Sequence, residues 1–109
     1  MTERKELDKI LELVVFSLKD GVSQERLLAT ADAVSAWALR QPGFVSRDLS
    51  YNAEHDKWIE VVYWDSLADA EAAAKASETS DQCAPMFALI DMESALFLHG
   101  VPAIARVST

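Results

Sequence analysis

Two short segments constrain this chain more than anything else in it. Residues 10 to 18, Ile-Leu-Glu-Leu-Val-Val-Phe-Ser-Leu, and residues 57 to 64, Lys-Trp-Ile-Glu-Val-Val-Tyr-Trp, are too short for helices of ordinary length and rich in β-formers. In a strand, successive side chains point to opposite faces. The first segment then sets Leu11, Leu13 and Val15 against Val14, Phe16 and Leu18, and the second sets Ile59, Val61 and Tyr63 against Trp58, Val62 and Trp64. Both strands are apolar on two sides. Whatever covers one side, something further must cover the other, because a folded monomer rarely tolerates an exposed apolar patch of more than a few hundred Å2.

The remaining pattern supplies cover for one side. Ser23 offers a helix N-cap, and residues 24 to about 40 carry Leu27, Ala31, Val34 and Ala38 on one stripe with Leu28 and Trp37 at its margins. Gln41-Pro42-Gly43 ends that helix. Residues 44 to 51 alternate, with Phe44, Ser46, Asp48 and Ser50 on one side and Val45, Arg47, Leu49 and Tyr51 on the other, as expected of a half-buried edge strand. The polar turn 52–56 closes a hairpin onto the 57–64 strand. Ser66 with Asp69 starts an alanine-rich helix running to about Ser77, residues 81 to 90 read as a short helix or turn with Pro85 near its first turn, and residues 93 to 99 read as a last strand. The tail from Gly100 shows no clear period.

The order β-α-β-β-α-β predicts an α+β, ferredoxin-like split β-α-β fold: a four-stranded antiparallel sheet with both helices on one face. The 109 residues suit one domain, expected to span 1–109. A second copy of the chain is the economical cover for the other sheet face, since most soluble oligomers are closed homodimers.

Charge and composition exclude several functions. The formal net charge of −8 argues against nucleic acid and against an anionic membrane surface, both of which call for clustered Lys and Arg. One cysteine, Cys83, permits no intramolecular disulfide, and two histidines rarely make a metal site. The opening Met-Thr-Glu-Arg-Lys-Glu-Leu-Asp-Lys lacks the form of a signal peptide, and no apolar stretch approaches the roughly 20 residues that span a bilayer. A cytoplasmic protein is expected, with no metal or cofactor.

The stretch from Gln41-Pro42-Gly43-Phe44 to Trp64-Asp65-Ser66-Leu67 resembles the dimeric α+β barrel superfamily, and within it the antibiotic-biosynthesis-monooxygenase-like group. The resemblance rests on Pro-Gly-Phe opening the second strand and on the aromatic Trp64 ending the third before Asp-Ser and an Ala/Glu-rich helix. It implies two sheets packed face to face and a pocket between sheet and helices in each subunit. Activities in the group include cofactor-free oxidation of aromatic polyketides, haem degradation and lactone isomerisation, and many members have no known reaction. Two departures lower the expectation of the first two. Segment 81–91 lacks the histidine that ligates haem iron, and the only asparagine, Asn52, falls in the hairpin turn rather than in a pocket.

Candidate groups follow. His99, at the end of the last strand, is either a general base oriented by Glu12 across the adjoining strand, or a solvated strand-end histidine. Glu12 and Glu60 interrupt apolar strands; each either faces the dimer seam with a partner such as Arg47, or lines a wet pocket, where a raised pKa could make one an acid or base. Trp37, Tyr63 and Trp64 are the candidate pocket walls, suited to flat ligands and equally to core. His55 is expected to be exposed, and Cys83 to be unreactive. Two functions result: a cofactor-independent, monooxygenase-like enzyme for a small apolar aromatic or polyketide-like molecule, with His99 or Glu60 taking a proton, or a non-catalytic small-ligand-binding or stress-related homodimer.

Overall fold

In a computed structural model, which describes residues 9–104, 107 and 109, the chain runs β1 (Ile10–Phe16), α1 (Gln24–Leu39), β2 (Phe44–Asn52), β3 (Lys57–Trp64), α2 (Leu67–Ser77), α3 (Ala84–Phe87) and β4 (Leu96–Gly100). The polar opening at 1–8 and residues 105, 106 and 108 of the tail lie outside the described residues. The strands form one sheet in the order β2-β3-β1-β4, antiparallel throughout. This is the split β-α-β arrangement expected from the element order.

Local chemistry fixes the boundaries. The Ser23 hydroxyl accepts the Arg26 backbone N–H at 3.2 Å and the Ser66 hydroxyl accepts that of Asp69 at 3.0 Å, so each long helix begins at its capping serine. Gly43 holds φ +78°, and a Cβ there would overlap the Asp69 carboxylate; glycine is required both by the backbone and by the close approach of α2. Lys9 pairs with Asp65 and ties the start of β1 to the end of β3.

The register sorts side chains into rungs. Across β2, β3, β1 and β4, one rung reads Arg47, Val62, Glu12, His99 and the next on the same face reads Leu49, Glu60, Val14, Phe97. This face meets the helices. Phe16, Trp58 and Val62 pack there with Leu27 and Val34 of α1, Ala70 and Ala73 of α2 and Met86 of α3, in two buried clusters with Trp37 touching both. Small alanines on α2 let that helix lie close to the sheet. The opposite face reads Asp48, Val61, Leu13, Leu98 and then Ser50, Ile59, Val15, Leu96, and among the described residues the helices pack on the other side. Leu96 and Leu98 are about half exposed, 48% and 51%.

Three expectations need correction. The last strand begins at Leu96, not at residue 93, because Ala95 N–H bonds back to Met92 and the Ser94 hydroxyl donates to Asp91, which spends residues 91–95 on a turn. The first strand ends at Phe16, with Leu18 only bridged to Ile90. A register shift between Phe44 and Ser46 places Phe44 opposite Trp64 and turns it to the helix side, away from Asp48 and Ser50.

Candidate functional site

Between the sheet and the helices lies a cavity of about 410 Å3. Its walls are largely apolar: Val34, Trp37 and Ala38 from α1, Ala73 and Ala74 from α2, Met86 and Phe87 from α3, and Val14, Phe16 and Trp64 from the sheet. Glu12, Arg47 and Glu60 bring charge to it from the sheet. Met92 and Phe97, exposed to 60% and 49%, and Glu78 just past α2 also line it, so its mouth opens between the end of α2 and the β4 edge. An apolar enclosure with a few convergent polar groups is the usual form of a small-molecule site.

The charged groups sit in two arrangements. Arg47 is anchored from every side: its Nε donates to Glu60 Oε2 at 2.6 Å, Nη1 to the Ala31 carbonyl at 3.1 Å and to Ser35 Oγ at 2.7 Å, and Nη2 reaches Met86 Sδ at 3.6 Å. Arg47 and Glu60 lie one rung apart on neighbouring strands, a diagonal pair within reach of long side chains. The guanidinium therefore joins β2, β3, α1 and α3 at one point, and it bonds to one of the two Glu60 carboxylate oxygens.

Glu12, two strands away, has no cation of comparable strength. Its Oε1 accepts the Trp64 indole N–H at 3.1 Å and stands 3.5 Å from His99 Nε2. Burial raises the Glu12 carboxyl above its ordinary value of 4.5, and the Glu60 carboxylate adds to the rise; the Trp64 and His99 contacts oppose it. Burial also pushes the Cys83 thiol up, which fits an unreactive cysteine.

The candidates from the sequence divide accordingly. Trp37, Trp64 and Glu60 line the cavity. His99 lies behind Glu12, its direct partner in the β1–β4 register, as antiparallel pairing suggested. Tyr63 does not belong: it pairs with Leu11 and Ser46 on the opposite sheet face, since it follows Val62 and precedes Trp64 in a regular strand. His55 is exposed beside Glu54. Asn52 accepts the His55 backbone N–H in the hairpin and does not reach the cavity. Arg47 and Glu12 carry more of the site than sequence reasoning gave them. The signal was present, as a charged residue in each of three strands at matching parity. Among the described residues no group of three or more His, Cys, Asp or Glu could hold a metal ion, and no helix is long and apolar enough to cross a membrane.

The chain matches no family model and no curated protein. Solved structures do share its architecture. SnoaB, a cofactor-independent oxygenase from Streptomyces nogalater, superposes with a TM-score of 0.65 at 16% identity, over 92% of this chain and 96% of that one. The ActVA-Orf6 monooxygenase of Streptomyces coelicolor, solved with the ligand nanaomycin D, gives 0.65 at 15% identity over all of both chains. A conserved protein from Methanosarcina mazei gives 0.69 at 12% identity over 89% of this chain and 95% of that one. Sheet order, helix placement and these superpositions together give the chain the fold shared by these solved structures, a four-stranded antiparallel sheet with its helices on one face.

Proposed function

We propose that this protein is a monooxygenase-like enzyme that acts, without a bound cofactor, on a small apolar aromatic or polyketide-like molecule. The observation that carries the reading is the cavity: its volume suits a molecule of two or three fused rings, Trp37 and Trp64 offer flat walls, and carboxylates stand on the sheet side. Likeness of fold to a cofactor-independent oxygenase and to a monooxygenase solved with nanaomycin D supports it.

In this reading Trp37 and Trp64 hold the ring, and a hydroxyl of the ligand bonds to the carboxylate oxygen of Glu60 that Arg47 leaves open. Removing the hydroxyl proton makes the ring electron-rich enough to reduce dioxygen directly. Conversion of a ring methylene to a carbonyl with release of water then balances with the substrate supplying the electrons. Glu60 and His99 are the proposed catalytic residues, Glu60 as the group that binds and orients the hydroxyl and His99 as part of the base, and residues 1–109 form one domain. The open sheet face is covered by a second copy, which buries the aliphatic rungs of both.

A second reading, ligand binding without turnover, has one observation in its favour: the single asparagine is held in the hairpin, far from the cavity walls. Incubation with anthrone-type hydroxyaromatics under labelled dioxygen separates the two. Enzymatic turnover puts one labelled oxygen into the product, and Trp64→Ala or Trp37→Ala weakens binding by roughly tenfold, about 1.4 kcal/mol. Saturable binding with no oxygen uptake across the panel would leave only the second reading.

A further inference from the structure

One rung of the sheet carries Arg47 at one end and the neighbours Glu12 and His99 at the other. The two ends are in opposite states. All three guanidinium nitrogens of Arg47 have protein acceptors, so that end is closed. At the other end His99 Nε2 is buried without a hydrogen-bond partner, 3.5 Å from Glu12 Oε1. A buried ring nitrogen with nothing to bond costs free energy, and nearly all such groups in folded proteins find a partner. Glu12 is the acceptor within reach, and closing the gap by about half an ångström gives ordinary hydrogen-bond geometry. A carboxylate and a bare ring nitrogen, however, are both acceptors and attract only when a proton lies between them.

We propose that Glu12 and His99 form one proton-accepting unit of the cavity, in which Glu12 meets the ligand and His99 shares the proton it takes. The part played by the ligand rests on the hydroxyaromatic reading above. In the step itself the ligand O–H bond breaks, and the proton joins the pair, either as the Glu12 carboxylic acid or as N–H on His99 Nε2. The ligand is left as an oxyanion. Glu12 lines the cavity while His99 is only 17% exposed at its side chain, so the pair spans the path from cavity to the β4 edge. Trp64 holds the shared oxygen in place through its indole N–H. The charged groups around Glu12 are Glu60 on β3, Arg47 on β2, His99 on β4 and Glu78 after α2; α1 and α3 bring only uncharged side chains to the cavity. Glu60 is held by Arg47, which makes Glu12 the carboxylate better placed to gain a proton.

Carboxyl 13C and long-range 1H–15N spectra across a pH titration test the pair without any ligand. The Glu12 carboxyl and His99 Nε2 should change together in a shared step, and that step should vanish from Nε2 in Glu12→Gln. His99→Gln should move the Glu12 midpoint upward, because the His99 contact that opposes the rise is gone, while His55→Gln leaves it alone. Independent steps in the wild-type protein, which needs no variant to fold, overturn the proposal. Alizarin, whose phenolate has its own visible band, tests the proton transfer: bound to wild type it should ionise at lower pH than in buffer, and Glu12→Gln at saturating alizarin should remove that shift from the bound dye. Binding with no ionisation shift in wild type overturns the transfer. Coincident steps with no alizarin binding uphold the pair and overturn the hydroxyaromatic reading of the cavity.

Discussion

The two faces of the sheet are built from the same four strands and differ sharply in chemistry. The helix-facing side mixes extremes: Trp58 and Trp64 stand beside Glu12, Arg47 and Glu60, and the helices leave a cavity over the charged rungs. The other side is largely aliphatic at its centre, Leu11, Leu13, Val15, Ile59, Val61, Leu96 and Leu98, with polar Ser46, Asp48 and Ser50 on the β2 edge and Lys57 and Tyr63 at the two ends of β3. A surface meant to bind a small molecule needs a few placed polar groups; a surface meant to meet its own copy needs area and shape. In the proposed dimer, the contrast teaches that alternation along a strand separates a site from an interface with no extra sequence.

The strongest way to break this contrast is to put a charge on the aliphatic side. Val61 lies between Leu13 and Asp48 at the middle of that face. Val61→Asp would bury an unpaired carboxylate in the proposed seam beside an existing one, and should raise the dimer dissociation constant by about a thousandfold, roughly 4 kcal/mol. Sedimentation equilibrium reads this directly. A variant that remains a dimer at micromolar concentration shows that the second copy sits elsewhere.

On the helix side the matching change removes a charge. Arg47→Met takes the cation from Glu60, whose side chain is only 14% exposed, and should cost about 3–5 kcal/mol in chemical denaturation. Adding Glu60→Leu should restore most of it, because no charge is then left stranded. If the single variant loses under about 1 kcal/mol, Glu60 is better hydrated than the packing indicates.

Much of this was legible beforehand, and the failures have physical causes. Both serine caps, the hairpin and the proline-glycine stop are short-range features that the sequence carries within a few residues. His99 beside Glu12 followed from strand order alone. Which face Trp58 and Trp64 would take did not, because a strand apolar on both sides looks the same after a half-turn, and only contact with α1 and α2 breaks the tie. That degeneracy is also why Tyr63 was grouped with its neighbour Trp64. The Arg47–Glu60 diagonal needed a register that the shift near Val45 alters by one residue. Glu93-Ser94-Ala95 reads as strand by composition, yet a side-chain bond to Asp91 wins the backbone for a turn.

Between the large effects and the smallest stands Gly43, which serves neither face but fixes how α2 lies on one of them. Gly43→Ala meets a left-handed backbone and the Asp69 carboxylate together, and should cost about 2–3 kcal/mol. The pair Gly43→Ala with Asp69→Ala should recover only the part due to overlap, since the backbone penalty remains. Full recovery, followed by thermal unfolding, would mean that the turn relaxes freely.

The smallest effect sharpens the comparison most, because it isolates one buried acid on the cavity side. Glu12 holds its proton more tightly in the folded protein than in the unfolded chain, chiefly through burial. The folded state therefore binds more protons between the ordinary value of 4.5 and the raised folded value, and stability must fall as pH rises through that window. The wild-type curve sums the contributions of every titrating group in the chain. Subtracting the stability of Glu12→Gln removes those of the other groups, since glutamine keeps the shape and can still accept the Trp64 N–H. The difference, wild type minus variant, should decline across the window and level off above it. A flat difference, or one that rises with pH, would show that water reaches Glu12 in the closed protein, and the cavity floor would then be wet where the outer sheet face is dry.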